Sequence, residues 1–187
     1  MSILNAAFSS ARLGGSAVPD DVATLLPHLD TLKNQTGVVI SIRPDWAPWA
    51  DMSYLSEAER SNPDIAANIA AIGEVCKLIT FVASDDQANY YGYWHGPDQL
   101  TLENSPIVQY DNEGQFYLCG TANLAGALLV HTCFGESFDE MRKWMSSLGI
   151  RDLPQTQYDL SDPRLNRMPD QLHREFYEKH LLSPRDA

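Results

Sequence analysis

Apolar positions along the chain fall into three regimes, and their order predicts the architecture. The first is helical. In "PDDVATLLPHLDTLKNQTG" Val22, Leu25, Leu26, Leu29 and Leu32 recur at helical spacing; Pro19 suits the first turn and Gly37 closes it. Pro27 lies inside that stretch and predicts a kink or a split, because proline removes one backbone donor and crowds the preceding turn. "SEAERSNPDIAANIAAIGE" contains two helix starts, a Ser56/Glu59 capping box and Asn62 ahead of Pro63, with Ile65, Ile69 and Ile72 in line behind them. The first ~17 residues fit a short helix or a loose arm.

The middle of the chain has the two-residue period of strands. "VVISI" is a short β-branched run, and "RPDWAPWADM" follows it as an aromatic loop braced by prolines. "KLITFVAS" and "NYYGYWHG" flank the turn "DDQA", while "PIVQY" and "QFYLC" flank "DNEG". Alternation in the aromatic strand sends Tyr91, Tyr93 and His95 to one face and Tyr90, Gly92 and Trp94 to the other. One face is expected to build core and the other to meet a partner. Helices then return: "TANLAGALLVHTCF", capped by Thr121 or Asn123, and "SFDEMRKWMSSLG" with a Ser137/Glu140 capping box. After Gly149 the chain is polar and proline-punctuated until a last helix, "PDQLHREFYEKHLL", with Leu172, Phe176, Leu181 and Leu182 on its apolar side. Helices, then a run of strands, then helices predict an α+β fold with a mainly antiparallel, meander-like sheet flanked by N- and C-terminal helices. Residues 1–150 are expected to form the domain, and 151–187 an irregular segment plus a helix that docks on it.

Charge narrows the partner. The chain of 187 residues carries a net charge of −12. Between residues 76 and 135, Asp85, Asp86, Asp98, Glu103, Asp111 and Glu113 face a single cation, Lys77. Such a surface repels nucleic acid and anionic membranes, and it steers a basic protein toward itself. "MSILNAAFSSARLGGS" has no basic stretch ahead of a long apolar run, and no apolar run approaches the ~20 residues of a bilayer span, so a cytoplasmic chain is expected.

Candidate chemistry is sparse. His131 and Cys133 are two residues apart, which separates them on a helix, and no CxxC or HExxH spacing occurs, so neither a metal nor another cofactor is expected. "RLGGSA" lacks the lysine and hydroxyl of a phosphate loop. Cys119 or Cys133 could pair in space with His95 or His131, but nothing in sequence marks either thiol as activated, and a buried core cysteine is the simpler reading.

The order of "LITFVASDDQANYYGYWHGP" and "SPIVQYDNEGQFYLCGTANLAGALL" resembles the SUKH superfamily, bacterial immunity and adaptor proteins related to fungal cell-wall-synthesis regulators. The resemblance covers about residues 76–135 and, more loosely, the helix "VPDDVATLLPHLDTL". It implies a non-catalytic binding protein that neutralises a cognate polymorphic toxin, often a nuclease, by direct contact. A regulatory adaptor for an endogenous protein and a small cysteine-dependent enzyme are the alternatives. On this reading Asp85, Asp86, Asp98 and Glu103 form an acidic rim for a basic toxin domain, and Tyr91, Tyr93 and Trp94 supply the anchors.

Overall fold

The computed structural model describes residues 2–161 and 163–182. Five antiparallel strands follow one another across a single sheet in the order β1-β2-β3-β4-β5: β1 (Val39–Ile40), β2 (Ile79–Ser84), β3 (Tyr90–Trp94), β4 (Ile107–Tyr110) and β5 (Phe116–Leu118). Helices α1 (Ile3–Arg12), α2 (Asp20–Leu25), α3 (Leu29–Thr36), α4 (Glu57–Ser61) and α5 (Pro63–Cys76) precede most of the sheet, and α6 (Leu124–Thr132), α7 (Glu136–Ser147) and α8 (Pro169–Leu182) follow it. The fold is α+β.

Local chemistry sets most boundaries. The Ser2 side chain accepts from the Asn5 amide and caps α1. Pro27 splits the first predicted helix: a 3-10 turn over Leu26–His28 separates α2 from α3. The Ser56/Glu59 box closes in both directions. Asn123, not Thr121, caps α6, accepting from the Gly126 amide at 2.8 Å. The expected Ser137/Glu140 box does not form. Helix α7 begins two residues earlier, after Gly135 at positive φ, and the Ser137 hydroxyl instead donates to the Phe134 carbonyl.

Helices cover both faces of the sheet. On one, Val82, Ala83, Tyr91, Tyr93, Ile107 and Cys119 pack against Phe8, Val22, Leu25, Leu32 and most of α6, with Phe138, Met141 and Met145 of α7 behind. On the other, Ile79, Phe81, Trp94, Val108, Tyr110 and Phe116 pack against Ile72 and Val75 of α5 and Leu172 of α8, with Trp46 and Trp49 alongside. Each fully buried leucine or phenylalanine contributes roughly 1.5–3 kcal/mol relative to exposure, so neither layer is dispensable. Residues 151–182 therefore complete a core: Leu153 joins the first cluster, and Leu165, Leu172 and Phe176 the second.

The alternation read from sequence in β3 holds, with Tyr91 and Tyr93 in the first cluster and Tyr90 and Trp94 in the second. A bulge in β2 adjusts the register. Phe81 opposes Gly92 and Ala83 opposes Tyr91, so Val82 is the extra residue, and Val82 and Ala83 both reach the first cluster. Gly92 permits this approach: a Cβ there would lie 2.6 Å from the Thr80 carbonyl oxygen and 2.8 Å from the Phe81 Cα.

Candidate functional site

The expected aromatic anchors are core residues. Tyr91, Tyr93 and Trp94 are 0%, 4% and 1% exposed, so none offers a ring to a partner in this conformation. The physical reason is that helices cover both faces: α2, α6 and α7 close the face of Tyr91 and Tyr93, and α5, α8 and the Trp46–Trp49 loop close that of Trp94.

The four carboxylates expected to form one rim are divided between two ends of the sheet. Asp85 and Asp86 sit in the β2–β3 turn, and Asp98 and Glu103 in the β3–β4 connection, one strand length away, about 17 Å for five residues. Asp85 is engaged within its own turn. One carboxylate oxygen accepts from the Gln87 and Asn89 amides, and the other accepts from the Asn89 side chain at 2.8 Å and from the Tyr91 hydroxyl at 2.9 Å. Asp86 is exposed and lies over Gly37. Asp98 shares a small cavity with Arg164 and Arg167, so the chain supplies its own cations there.

Glu103 has different surroundings. It stands in a 3-10 turn over Leu102–Asn104, whose flanking residues Leu100 and Ser105 both bond to His95. The His95 Nδ1–H donates to the Leu100 carbonyl at 2.8 Å, its Nε2 pairs with the Thr80 hydroxyl at 2.8 Å, and the Ser105 hydroxyl lies 3.0 Å from Nδ1. Beside this turn a cleft of about 590 Å³ opens between Ser16–Asp21, the β3–β4 connection and the start of α6. Asp20, Asp21, Tyr93, Glu103 and Asn123 supply its polar lining, and Val18, Leu102, Ile107 and Leu124 its apolar walls. An adjoining depression shares Asp20, Asp21, Glu103 and Asn123 and adds Arg151 and Asp152.

Two groups in this cleft are unusual. Asp21 is 8% exposed, and its Oδ2 accepts from the Ala125 amide at 2.9 Å, at the start of α6. Burial raises its pKa, and hydrogen bonds from the α6 amides oppose that shift only in part. The Tyr93 hydroxyl is buried and has no hydrogen-bond partner. Its pKa is raised well above that of an ordinary tyrosine, first by burial and then by the charge of Asp21. Sequence reading missed Asp20 and Asp21 as site residues because two aspartates after a proline read equally well as a helix start.

A larger cleft, about 800 Å³, lies between α5, α8 and the edge strand β5. Its histidine is already partnered: the His173 Nε2–H donates to Asn68 Oδ1 at 2.9 Å, and the ring stands edge-on to Phe116. No buried polar group without a partner lines this cleft among the described residues.

The thiols considered from sequence are not activated. Burial raises the pKa of Cys119 and of Cys133, and it lowers that of His131. Both thiols are buried, and His95 is committed to the turn described above. Among the described residues no cluster of three His, Cys, Asp or Glu side chains could hold a metal. No helix among them is long and apolar enough to cross a membrane. Comparison of the chain with protein-family models, curated proteins and solved structures finds no match.

Proposed function

We propose that this chain is a cytoplasmic immunity protein of the SUKH type, which neutralises a cognate toxin by binding a basic domain of it. The observation that carries the reading is the cleft at Asp20, Asp21 and Glu103, a concave acidic surface at one end of a sheet whose two faces are closed. Low-dielectric walls around like charges focus the field, so a basic protein is attracted there more strongly than to the same charges on a flat surface. The net charge of −12 acts in the same direction at longer range. Further support comes from the resemblance of residues 76–135, and from the order of helix, antiparallel meander and helix that this family would share.

Growth rescue tests the proposal. The C-terminal domain of the protein encoded immediately upstream is expressed in a bacterial host with and without this chain. Arrest without it, growth with it, and co-purification of the two proteins are the expected outcome. A neighbour that is harmless, or toxicity that this chain does not relieve, would replace the immunity reading with that of an adaptor for an endogenous protein.

A further inference from the structure

We propose that the cleft between α2, the β3–β4 connection and the N-terminus of α6 receives an arginine or lysine side chain of a basic protein partner, with Asp20, Asp21 and Glu103 around its cationic head. The identity of that partner rests on the toxin-binding reading; the side-chain chemistry does not.

Three features select this occupant. The first is charge. Within the cleft and its adjoining depression Asp20, Asp21, Glu103 and Asp152 face one guanidinium, that of Arg151, so an anionic group is repelled. The second is Tyr93, a residue that lines the cleft and whose hydroxyl is buried without a partner. A buried hydroxyl without a hydrogen bond is destabilising, so an apolar occupant would leave that cost in place and would also desolvate the carboxylates. A guanidinium carries five donors in a planar fork, and an ammonium carries three. The Asp21 carboxylate accepts from the Ala125 amide through Oδ2 and faces the backbone amides of Asp21, Val22 and Leu124, so a cation adds to an acceptor already oriented by the backbone. The third is shape: Val18, Leu102, Ile107 and Leu124 form walls along which an aliphatic stem can lie while its charged end meets the acids. A volume of about 590 Å³ is that of a ligand pocket and exceeds what one water or ion needs.

The test uses the full chain, labelled with nitrogen-15, and three blocked peptides, acetyl-Gly-Arg-Gly-amide and its lysine and glutamate counterparts, with agmatine as a free amine. The arginine and lysine peptides are expected to shift the amides of Asp21, Leu102, Glu103 and Ala125, arginine at the lower concentration, while the glutamate peptide shifts none of them. Glu103→Gln and Asp21→Asn each keep their shape and, for Asp21, the acceptor for Ala125; each is expected to weaken the arginine peptide about tenfold, the value of one charge-assisted hydrogen bond. Tyr93→Phe is expected to weaken it as well, without lowering the melting temperature, because the hydroxyl has no partner to lose.

Absence of shifts with the arginine peptide overturns the proposal. So do shifts that survive the Glu103 and Asp21 variants unchanged, binding of agmatine alone, which marks a small-amine site, and a Tyr93→Phe chain that melts earlier, which shows the hydroxyl to be structural. Growth rescue separates the two readings. A chain that rescues but ignores the peptide overturns the cleft and keeps immunity; one that binds the peptide but does not rescue keeps the cleft and overturns the toxin.

Discussion

Arg12 closes α1 and ties three parts of the chain together, so its removal has a size that can be worked out. Its Nε and Nη2 donate to the Phe81 carbonyl at the β2 bulge, and its Nη1 donates to the carbonyls of Trp46 at 3.1 Å and Arg43 at 3.3 Å. The guanidinium also lies 5.1 Å from the centre of the Trp46 ring. Burial lowers its pKa, as expected for a cation held by carbonyls and rings with no carboxylate bonded to it. Arg12→Met keeps an aliphatic stem and removes the donors. Leaving the Phe81 carbonyl without its charged donors costs about 1–3 kcal/mol, the wetter carbonyls of Arg43 and Trp46 roughly 0.5 kcal/mol each, and the ring contact about 0.5–1 kcal/mol. The sum centres near 4 kcal/mol, a large part of the 5–15 kcal/mol typical of a domain. At about 2–4 °C per kcal/mol for this length, the melting temperature should fall by roughly 8–16 °C. Urea unfolding followed by tryptophan emission measures the loss, with Trp46 and Trp49 two of the four emitting rings. Arg12→Lys, with one compact ammonium for three carbonyls, should recover only a minor part. A loss under about 1 kcal/mol for Arg12→Met would refute the reasoning, since it would mean that water or other donors serve the Phe81 carbonyl equally well.

Three further outcomes follow from the same geometry. Gly92→Ala should destabilise by about 2–3 kcal/mol, since its new methyl meets backbone atoms of Thr80 and Phe81 that cannot swing aside; an unchanged urea midpoint would show that β2 and β3 can separate there. Trp94→Ala should cost about 3–5 kcal/mol in unfolding free energy, as expected of a core residue; a folded variant of near wild-type stability that had lost only partner binding would restore it as an anchor. Burial lowers the pKa values of His131 and His173, so the folded chain takes up their protons less readily than the unfolded chain. Their contribution is fully present above the unfolded value of about 6.5 and is lost as pH falls below it, so melting temperature should drop on acidification in that range. His131→Leu should flatten the drop, and an equally steep curve in that variant would remove His131 from the account.

Sequence reading recovered those parts of the fold that local chemistry decides. Ser56 with Glu59, Asn62 with Pro63, and the division of β3 side chains between two faces are contests among near neighbours, and each was legible. What covers each face of the sheet was not legible, because distant segments settle it. Asn68 meets His173 and Glu74 meets His180 across more than a hundred residues, and those contacts seat α8 against α5. The loop "RPDWAPWADM" gave no period to read, yet Trp49 packs 4.4 Å from Phe81 and closes the second core. Tyr91, Tyr93 and Trp94 were misplaced for this reason: an aromatic strand looks alike whether one layer or two cover it. Of the candidate site, Glu103 was legible as a charge. Its companions Asp20 and Asp21 lie more than eighty residues away in the chain, and the β3–β4 connection brings them together.

With both faces of the sheet closed, the acidic groups of its connections are presented at its ends, and the two ends differ in what they can do with similar charge. At the β2–β3 end Asp85 is bonded into its turn, and Asp86 is exposed. An ion pair formed at such an exposed carboxylate is worth about 0–1 kcal/mol, enough to steer an encounter but not to hold it. At the other end Glu103 shares a concavity with Asp20, with the buried carboxylate of Asp21 and with a hydroxyl that lacks a partner. A cation entering there satisfies groups that water serves poorly, so the same unit of charge yields more free energy per contact. Affinity should therefore respond to Asp21, Glu103 and Tyr93, and association rate and its salt dependence to Asp86. If Asp86→Asn raised the dissociation rate as much as Glu103→Gln did, the ends of the sheet would be equivalent and the concavity would have no special role.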